Sequence, residues 1–289
     1  MASLRTDLAQ GCAVITGAGS GIGAALAHQA VAHGSAVVIA DISRERLEET
    51  SRALAERGAE VLAVPTDVTD AAAVERLADA AFDRFGTVRM LVNNAGIESV
   101  GYLWDMSPEN WRRVQEVNTN GTFHGIRAFV PRMGADPRRS YVVNVASVAA
   151  ITSAPRNAAY VASKHAALAM TECLHVECQE RFPQISVSVV CPAAVTTQIF
   201  EDALTEDRPG DTIPGDELQT MRRHLAHDGI SSDRAAELIF EGVARGDFWV
   251  TTHPERFSEI ARRRADMLVN RTAPQANVAR EVLVSRPAD

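Results

Sequence analysis

A tyrosine and a lysine four residues apart, Tyr160 and Lys164, are the two side chains of this 289-residue chain whose pairing best suits proton chemistry. Lys164 is the only lysine; the other 28 of the 29 basic residues are arginine. A compact ammonium on a flexible stem can sit beside a titrating hydroxyl and reach a sugar diol at the same time, which a flat guanidinium cannot. On a helix, a spacing of four puts both side chains on one face. There the cation would stabilise a phenolate and lower a tyrosine pKa that starts near about 10. A phenol tuned in this way can act as general acid and base. Chance spacing on an ordinary helix surface would look the same, so the neighbouring pattern matters. Ser147 ends the apolar run Val142 to Ala146, which reads as a buried strand opening into a loop. Strand ends are where open α/β sheets place their chemistry.

A second constellation lies near the start of the chain. The β-branched run Cys12 to Thr16 meets Gly17, Gly19, Gly21 and Gly23, then an Ala-rich helical segment to about His33. Strand, glycine turn and helix in that order let a backbone approach a phosphate while the helix start offers free N–H groups. The apolar run Ala36 to Ala40 ends in Asp41, 18 residues beyond Gly23, where a carboxylate can hold the adenosine ribose of a dinucleotide. A tight turn without a ligand and a surface aspartate are the alternatives.

These groups need a frame of alternating strands and helices, and the pattern supplies one. A charged helix runs from Ser43 to Arg57, a strand from Val61 to Val64 before Asp67 and Val68, and an amphipathic helix from Asp70 to Phe85. The strand Met90 to Val92 exits into Asn93-Asn94-Ala95-Gly96, small and amide side chains suited to packing on a flat ligand while tying strands together. Ser107 and Pro108 start a helix that continues through Asn118 to Pro131. Asn118 either faces solvent or belongs to a polar site, because a buried mid-helix Asn must be bonded. The Tyr160 helix extends to Arg181, and the strand Ser186 to Val190 follows. Residues 201–230 are polar with scattered Pro and Gly; a substrate lid and a plain surface excursion both fit. A helix from Ser232 to Ala244, a strand Phe248 to Thr251 and a helix Pro254 to Val269 complete a single domain over residues 1–270, with 271–289 as a tail.

Composition narrows the class. With 46% hydrophobic and 23% charged residues the chain is an ordinary globular one, and its net charge of -8 argues against nucleic-acid or anionic-membrane partners. No run approaches the ~20 apolar residues of a membrane span and no leader pattern opens the sequence, so a cytoplasmic location is expected. Cys12, Cys173, Cys178 and Cys191 lack metal spacing, and Cys12 and Cys191 lie in apolar strand-like runs that read as buried thiols. The eight His form no ligand motif, so no catalytic metal is expected.

Taken together, these motifs resemble the short-chain dehydrogenase/reductase family over roughly residues 8–200. Thr16-Gly17-Ala18-Gly19-Ser20-Gly21-Ile22-Gly23 looks like its Thr-Gly-x-x-x-Gly-x-Gly cofactor turn, and Asn93 to Gly96 looks like its Asn-Asn-Ala-Gly segment. Tyr160 and Lys164, with Ser147 and Asn118 upstream, look like its catalytic tetrad. The resemblance implies a Rossmann-like, doubly wound α/β fold with about seven parallel strands in one domain, and a homotetramer or homodimer. It implies NAD contacts from Gly17, Gly19, Ser20, Gly21, Ile22, Gly23, Asp41, Ile42, Asp67, Val68, Asn94, Ala95, Gly96, Tyr160 and Lys164, and from Pro192, Ala193, Val195 and Thr197 on the nicotinamide side. Pro192-Ala193 stands where the family usually has Pro-Gly, so this loop is expected to sit slightly differently.

The function implied is NAD-dependent interconversion of a secondary alcohol and a ketone. Tyr160 is then the acid and base, Ser147 binds the substrate oxygen, Lys164 tunes Tyr160, and Asn118 steadies a proton-passing water. An epimerase or dehydratase using NAD transiently, and a non-catalytic NAD-binding regulator, are the rivals. Ile97, Glu98, Trp104, Val148, Arg156, Ala194 and Phe200 are candidates for the pocket wall, by closeness in sequence to the motifs.

Overall fold

A computed structural model describes residues 2–197 and 229–275. Seven parallel strands form the centre: β1 (Cys12–Thr16), β2 (Ala36–Asp41), β3 (Val61–Pro65), β4 (Val88–Asn93), β5 (Ser140–Val145), β6 (Ile185–Cys191) and, later in the chain, β9 (Trp249–Thr251). Their order across the sheet is β3-β2-β1-β4-β5-β6-β9. Strands β1, β4 and β5 are buried at every position, as expected of parallel strands covered on both faces.

Alternation along each strand feeds two core layers. Ala13 and Ile15 pack with Leu26 and Ala30 of α2 (Gly21–Ala32) and with Ile239 and Phe240 of α8 (Ser232–Arg245). Cys12 and Val14 pack instead with Leu77 of α4 (Ala71–Phe85), Phe129 of α6 (Gly121–Gly134) and Leu174 of α7 (Ala158–Arg181). The order reverses between β1 and β4, so their carboxyl ends part and open a crevice. The glycine turn, the Asn93–Gly96 loop and Ser147 all leave the sheet at that edge.

The remaining elements are α1 (Ala2–Leu8), α3 (Arg44–Ala55), α5 (Pro108–Gln115), α9 (Pro254–Asn270) and the short strands β7 (Val195–Thr196) and β8 (Ile230–Ser231). Four of the expected helix starts are capped by side chains: Ser43, Asp70, Ser107 and Ser231 each accept a backbone N–H of the first turn.

Three features depart from expectation. Helix α1 was not anticipated; Leu4 and Leu8, one turn apart, bury completely against the sheet, and the Tyr141 hydroxyl donates to Asp7 at 2.7 Å. The helix expected from Ser107 to Pro131 is not continuous: a π-helical turn, Glu116–Asn120, separates α5 from α6, and α6 runs on past Pro131 to Gly134. The two-residue pair β7·β8 had no sequence signal, being too short for periodicity. The segment 201–230 lies outside the described residues except for Gly229 and Ile230, as does the tail beyond 275. Among the described residues no helix is long and apolar enough to cross a membrane. Cys12, Cys178 and Cys191 are buried, Cys173 is exposed, and all four are free.

Candidate active site

Tyr160 and Lys164 stand one turn apart in the first half of α7, with the Lys164 Nζ 5.5 Å from the centre of the Tyr160 ring. Lys164 is only 4% exposed, and its ammonium donates to the Val145 carbonyl at the end of β5, 2.9 Å away. Ser147, two residues farther on, begins the 3-10 turn Val148–Ile151, and its Oγ accepts the Ala149 N–H at 3.1 Å. Strand end, serine and helix are thus brought together as the spacing predicts.

The electrostatics correct one expectation. Desolvation pushes the Tyr160 hydroxyl above the usual phenol range, the charge of Glu98 adds to this, and the Ser147 side chain works against it. Lys164 moves the other way: desolvation lowers its pKa while Glu98 opposes the fall. The lysine was expected to lower the tyrosine pKa. Burial of the hydroxyl decides the direction, with the charge of Glu98 behind it.

Asn118 sits in the π turn, 1% exposed, so the polar-site alternative is the one realised. Its Oδ1 accepts the Ile97 N–H at 2.8 Å; its Nδ2 donates to the Ile97 carbonyl and to Ser163 Oγ, both at 2.9 Å. A π turn inserts one residue relative to an α-helix and redirects the side chains around it. Both amide donors of Asn118 are thereby committed to protein atoms. A Cβ on Gly96 would lie 3.4 Å from both Asn118 Oδ1 and Lys164 Nζ, so the loop passes directly over the lysine.

On the other side of the crevice the glycine turn is packed against its neighbours. Gly17 has φ +63 and a Cβ there would lie 2.8 Å from Ala95 Cα; one on Gly23 would lie 2.1 Å from the Gly17 carbonyl oxygen. Asn94 donates to the carbonyls of Thr16 and Gly17 at 2.9 and 3.1 Å, so its amide holds the turn in place. Asp41 is fixed by two backbone donors: Gly19 N–H to Oδ2 and Ser43 N–H to Oδ1, both at 2.9 Å. Ser20 occupies the N-cap of α2 without a side-chain bond, unlike the four capped helices, and leaves the first N–H groups of that helix to another acceptor. Ile22 packs against the core beneath, and Ile42, beyond Asp41, is exposed.

Asp67 is exposed and folds back on Thr69, with Oδ1 accepting the Thr69 N–H and hydroxyl at 2.9 and 2.8 Å. Val68 is buried against Gly121, whose Cβ would approach Val68 Cγ2 to 2.8 Å. Thr197 comes back to the turn: its Cγ2 is 3.3 Å from where a Gly21 Cβ would be. The Pro192 carbonyl accepts the Val148 N–H at 2.9 Å, and Ala193 N–H donates to Thr252 at 3.2 Å. Among the described non-glycine residues only Arg156 and Arg271 have positive φ, so Ala193 fills the place of a family glycine without backbone strain. Val195, in β7, is buried.

Two site features escaped the sequence reading. Arg46, in the first turn of α3, lies beside the glycine turn, with its Cβ 2.9 Å from a Cβ built on Gly19. Glu98, known only as a possible wall residue, is 7% exposed and bonded to Asn157. Of the other wall candidates, Val148 is buried, Trp104 is exposed and stacks on Tyr102, and the Arg156 guanidinium lies over the Tyr102 ring. Phe200 lies outside the described residues. Among the described residues no group of three or more His, Cys, Asp or Glu is placed to hold a metal ion.

The chain is similar to known proteins in sequence and in fold. A 1-deoxy-11-beta-hydroxypentalenate dehydrogenase of Streptomyces arenae is 42% identical over 249 residues, covering 84% of this chain and 82% of that protein. A short chain dehydrogenase/reductase from Burkholderia phymatum, solved in complex with NAD, superimposes with a TM-score of 0.85 at 35% identity, covering 91% of this chain and 96% of that one. An alcohol dehydrogenase from Thermococcus sibiricus, complexed with 5-hydroxy-NADP, gives a TM-score of 0.68 at 25% identity over 83% and 94% of the two chains. Residues 11–208 match the family described as short chain dehydrogenase, and with the parallel sheet, the glycine turn and the Ser147, Tyr160 and Lys164 cluster this establishes that the chain belongs to that family of oxidoreductases.

Proposed function

We propose that the chain is an NAD-dependent oxidoreductase that interconverts a secondary alcohol and a ketone, with Tyr160 as the acid and base. The observation that carries the reading is the convergence of Tyr160, Lys164 and Ser147 beside the uncapped, glycine-cradled start of α2 at one sheet edge. The residues present fit a dinucleotide. Gly19 lets the turn close where a Cβ would collide with Asp41 and Arg46, the free N–H groups of α2 suit a pyrophosphate, and Asp41 is held rigid for a ribose diol.

Bound there, the nicotinamide supplies the acceptor or donor of a hydride. The chain's own residues handle the oxygen and its proton. Ser147 Oγ and Tyr160 Oη hold the substrate oxygen; Tyr160 takes the hydroxyl proton in oxidation and returns it in reduction. Lys164 is the charge beside that phenol. Asn118 fixes the Ile97 backbone above the lysine. Ser20, Ile22, Ile42, Val68, Asn94 and Thr197 complete the cofactor side. A cytoplasmic homodimer or homotetramer acting on a small-molecule alcohol or ketone agrees with this reading.

The test is a panel of aliphatic, aryl and steroid alcohols and their ketones with NAD and NADP, followed by absorbance of the reduced cofactor. Net reduction or oxidation with at least one pair is expected. Dinucleotide binding without turnover would favour a regulator, and product formation without net cofactor change an epimerase or dehydratase.

A further inference from the structure

The corner where β9 turns into α9 holds a buried hydroxyl that the proposed chemistry leaves unused. Thr252 is 5% exposed, and its Oγ1 lies 3.2 Å from the Ala193 nitrogen and 2.8 Å from His253 Nδ1. The sheet register explains the first contact. Val189 N–H donates to the Phe248 carbonyl, and Cys191 is the register partner of Thr251. Counting by twos along β6, Ala193 is the next residue to turn its N–H toward β9, just past the last pair. There the donor meets the Thr252 side chain.

The second contact decides which way the hydroxyl points. Burial, with the charge of Arg256 behind it, lowers the His253 pKa, so the ring is neutral at pH 7 and one of its nitrogens is an acceptor. Thr252 Oγ1 already accepts the Ala193 N–H, and its own proton goes to His253 Nδ1, which assigns the ring its Nε2–H tautomer. His253 is itself held, its N–H donating to Thr251 Oγ1 at 3.3 Å. Ala193 packs at the same corner, with Val148, Phe257 and Ile260.

The loop anchored in this way runs across the crevice. At one end the Pro192 carbonyl accepts the Val148 N–H beside Ser147; at the other, Thr197 lies against Gly21. Asp41 and the glycine turn are placed for the adenosine ribose and the pyrophosphate, so the hydride-transferring end belongs by Ser147 and Tyr160, where Ala193 is. We propose that Thr252, oriented by His253, is a positioning residue that holds the Pro192–Ala193 backbone in place for the nicotinamide end of the dinucleotide. This rests on the dinucleotide site proposed above.

ADP-ribose is the dinucleotide less its nicotinamide ring, so calorimetric titration with NADH and with ADP-ribose separates a positioning role from general damage. Thr252→Val keeps the branched shape and removes the hydroxyl. NADH affinity is expected to fall about three- to tenfold, the weight of one hydrogen bond, with ADP-ribose affinity unchanged. Thr252→Ser, which keeps the hydroxyl, restores the wild-type ratio of the two affinities. His253→Ala, which removes the proton acceptor, moves the ratio the same way by less. An unmoved ratio in Thr252→Val, or in His253→Ala should the first variant not fold, overturns the proposal. Equal losses of both ligands, or a Thr252→Ser variant as weak as Thr252→Val, overturn it too. A wild type that binds neither ligand removes the dinucleotide site itself and this inference with it, whereas an unmoved ratio in a chain that binds both leaves the proposed function standing.

Discussion

Tyr160→Phe removes one oxygen from the site and little else, since Lys164 keeps both its carbonyl partner and its ring neighbour. Turnover should fall by at least about a hundredfold, the lower end of what a positioned acid and base contributes. NADH affinity, read by fluorescence titration, should stay nearly unchanged; retained turnover would place the proton transfer elsewhere. Cofactor choice is also decided by single residues. Both Asp41 oxygens are pinned by backbone N–H groups, so the carboxylate cannot swing away from a 2′-phosphate. An unfavourable contact of a few kcal/mol corresponds to a preference for NAD on the order of a hundredfold, since each ~1.4 kcal/mol is tenfold. The opposing influence is Arg46, beside Gly19. Measuring kcat/KM with both cofactors decides between them: a ratio near one would show Arg46 meeting the phosphate, and Asp41→Ala should narrow the ratio from the wild-type value. Asp41 was readable from its place at a strand end, whereas the approach of Arg46 depends on how α3 leaves that strand, which no spacing encodes.

The elements meet through buried amides. Asn93 and Asn144 are register partners on β4 and β5; Asn93 Nδ2 donates to Asn144 Oδ1 at 2.8 Å, and Asn144 Nδ2 to Thr171 Oγ1 of α7 at 3.0 Å. A Cβ on Gly125 would lie 2.0 Å from Asn93 Oδ1. Gly125→Ala must displace α6 or break this ladder, so overpacking and an unpaired buried amide should together cost about 2–4 kcal/mol; urea unfolding with an unchanged midpoint would refute the ladder's importance. A second tie joins β4 to the turn after α6. Arg89, 1% exposed, pairs with Asp136, whose carboxyl is held well below the usual range, chiefly by Arg138 and also by Arg89. A folded-state pKa below the unfolded one gives stability that is present above the ordinary carboxylate range and lost as pH falls through and below it. Asp136→Asn should therefore unfold at lower urea at neutral pH, by about 3 kcal/mol for a stranded buried charge, with the gap from wild type closing below pH of about 4; a gap constant with pH would mean that ionisation is not the cause. Strand and helix positions were legible because their apolar periods are long. The π turn was not, because one inserted residue leaves the pattern of α5 and α6 readable as one helix, and only the fixed partners of Asn118 reveal it.

At the scale of the whole molecule, the topology was legible because parallel βαβ order leaves few alternatives, while the surfaces were legible only in part. The site residues separated by long stretches, such as Thr197 and Gly21, were placed together by resemblance and meet in space because the chain after β6 returns to the turn that follows β1, three strands away in the sheet. Exposed apolar side chains group at two places on the surface. Trp111 on α5, Phe123 on α6 and Val176 on α7 are exposed apolar side chains on three helices that pack against one another. The sheet edge has its own set: Trp249 on the edge strand β9, and Leu268 and Val269 on α9. A stable interface buries on the order of 1,600 Å² in total, more than three side chains supply, so whole helix faces must take part. Two such regions, at different places on the chain, suit a dimer made through α5 to α7 and its doubling into a tetramer through β9 and α9. Light scattering at micromolar concentration should then give a dimer or tetramer for the wild type. Phe123→Asp with Val176→Asp should give a monomer that keeps its helical circular dichroism, and Trp249→Asp with Leu268→Asp should stop assembly at the dimer. A monomeric wild type, or a double α6/α7 variant that assembles undisturbed, would show that these helices face solvent in the working protein.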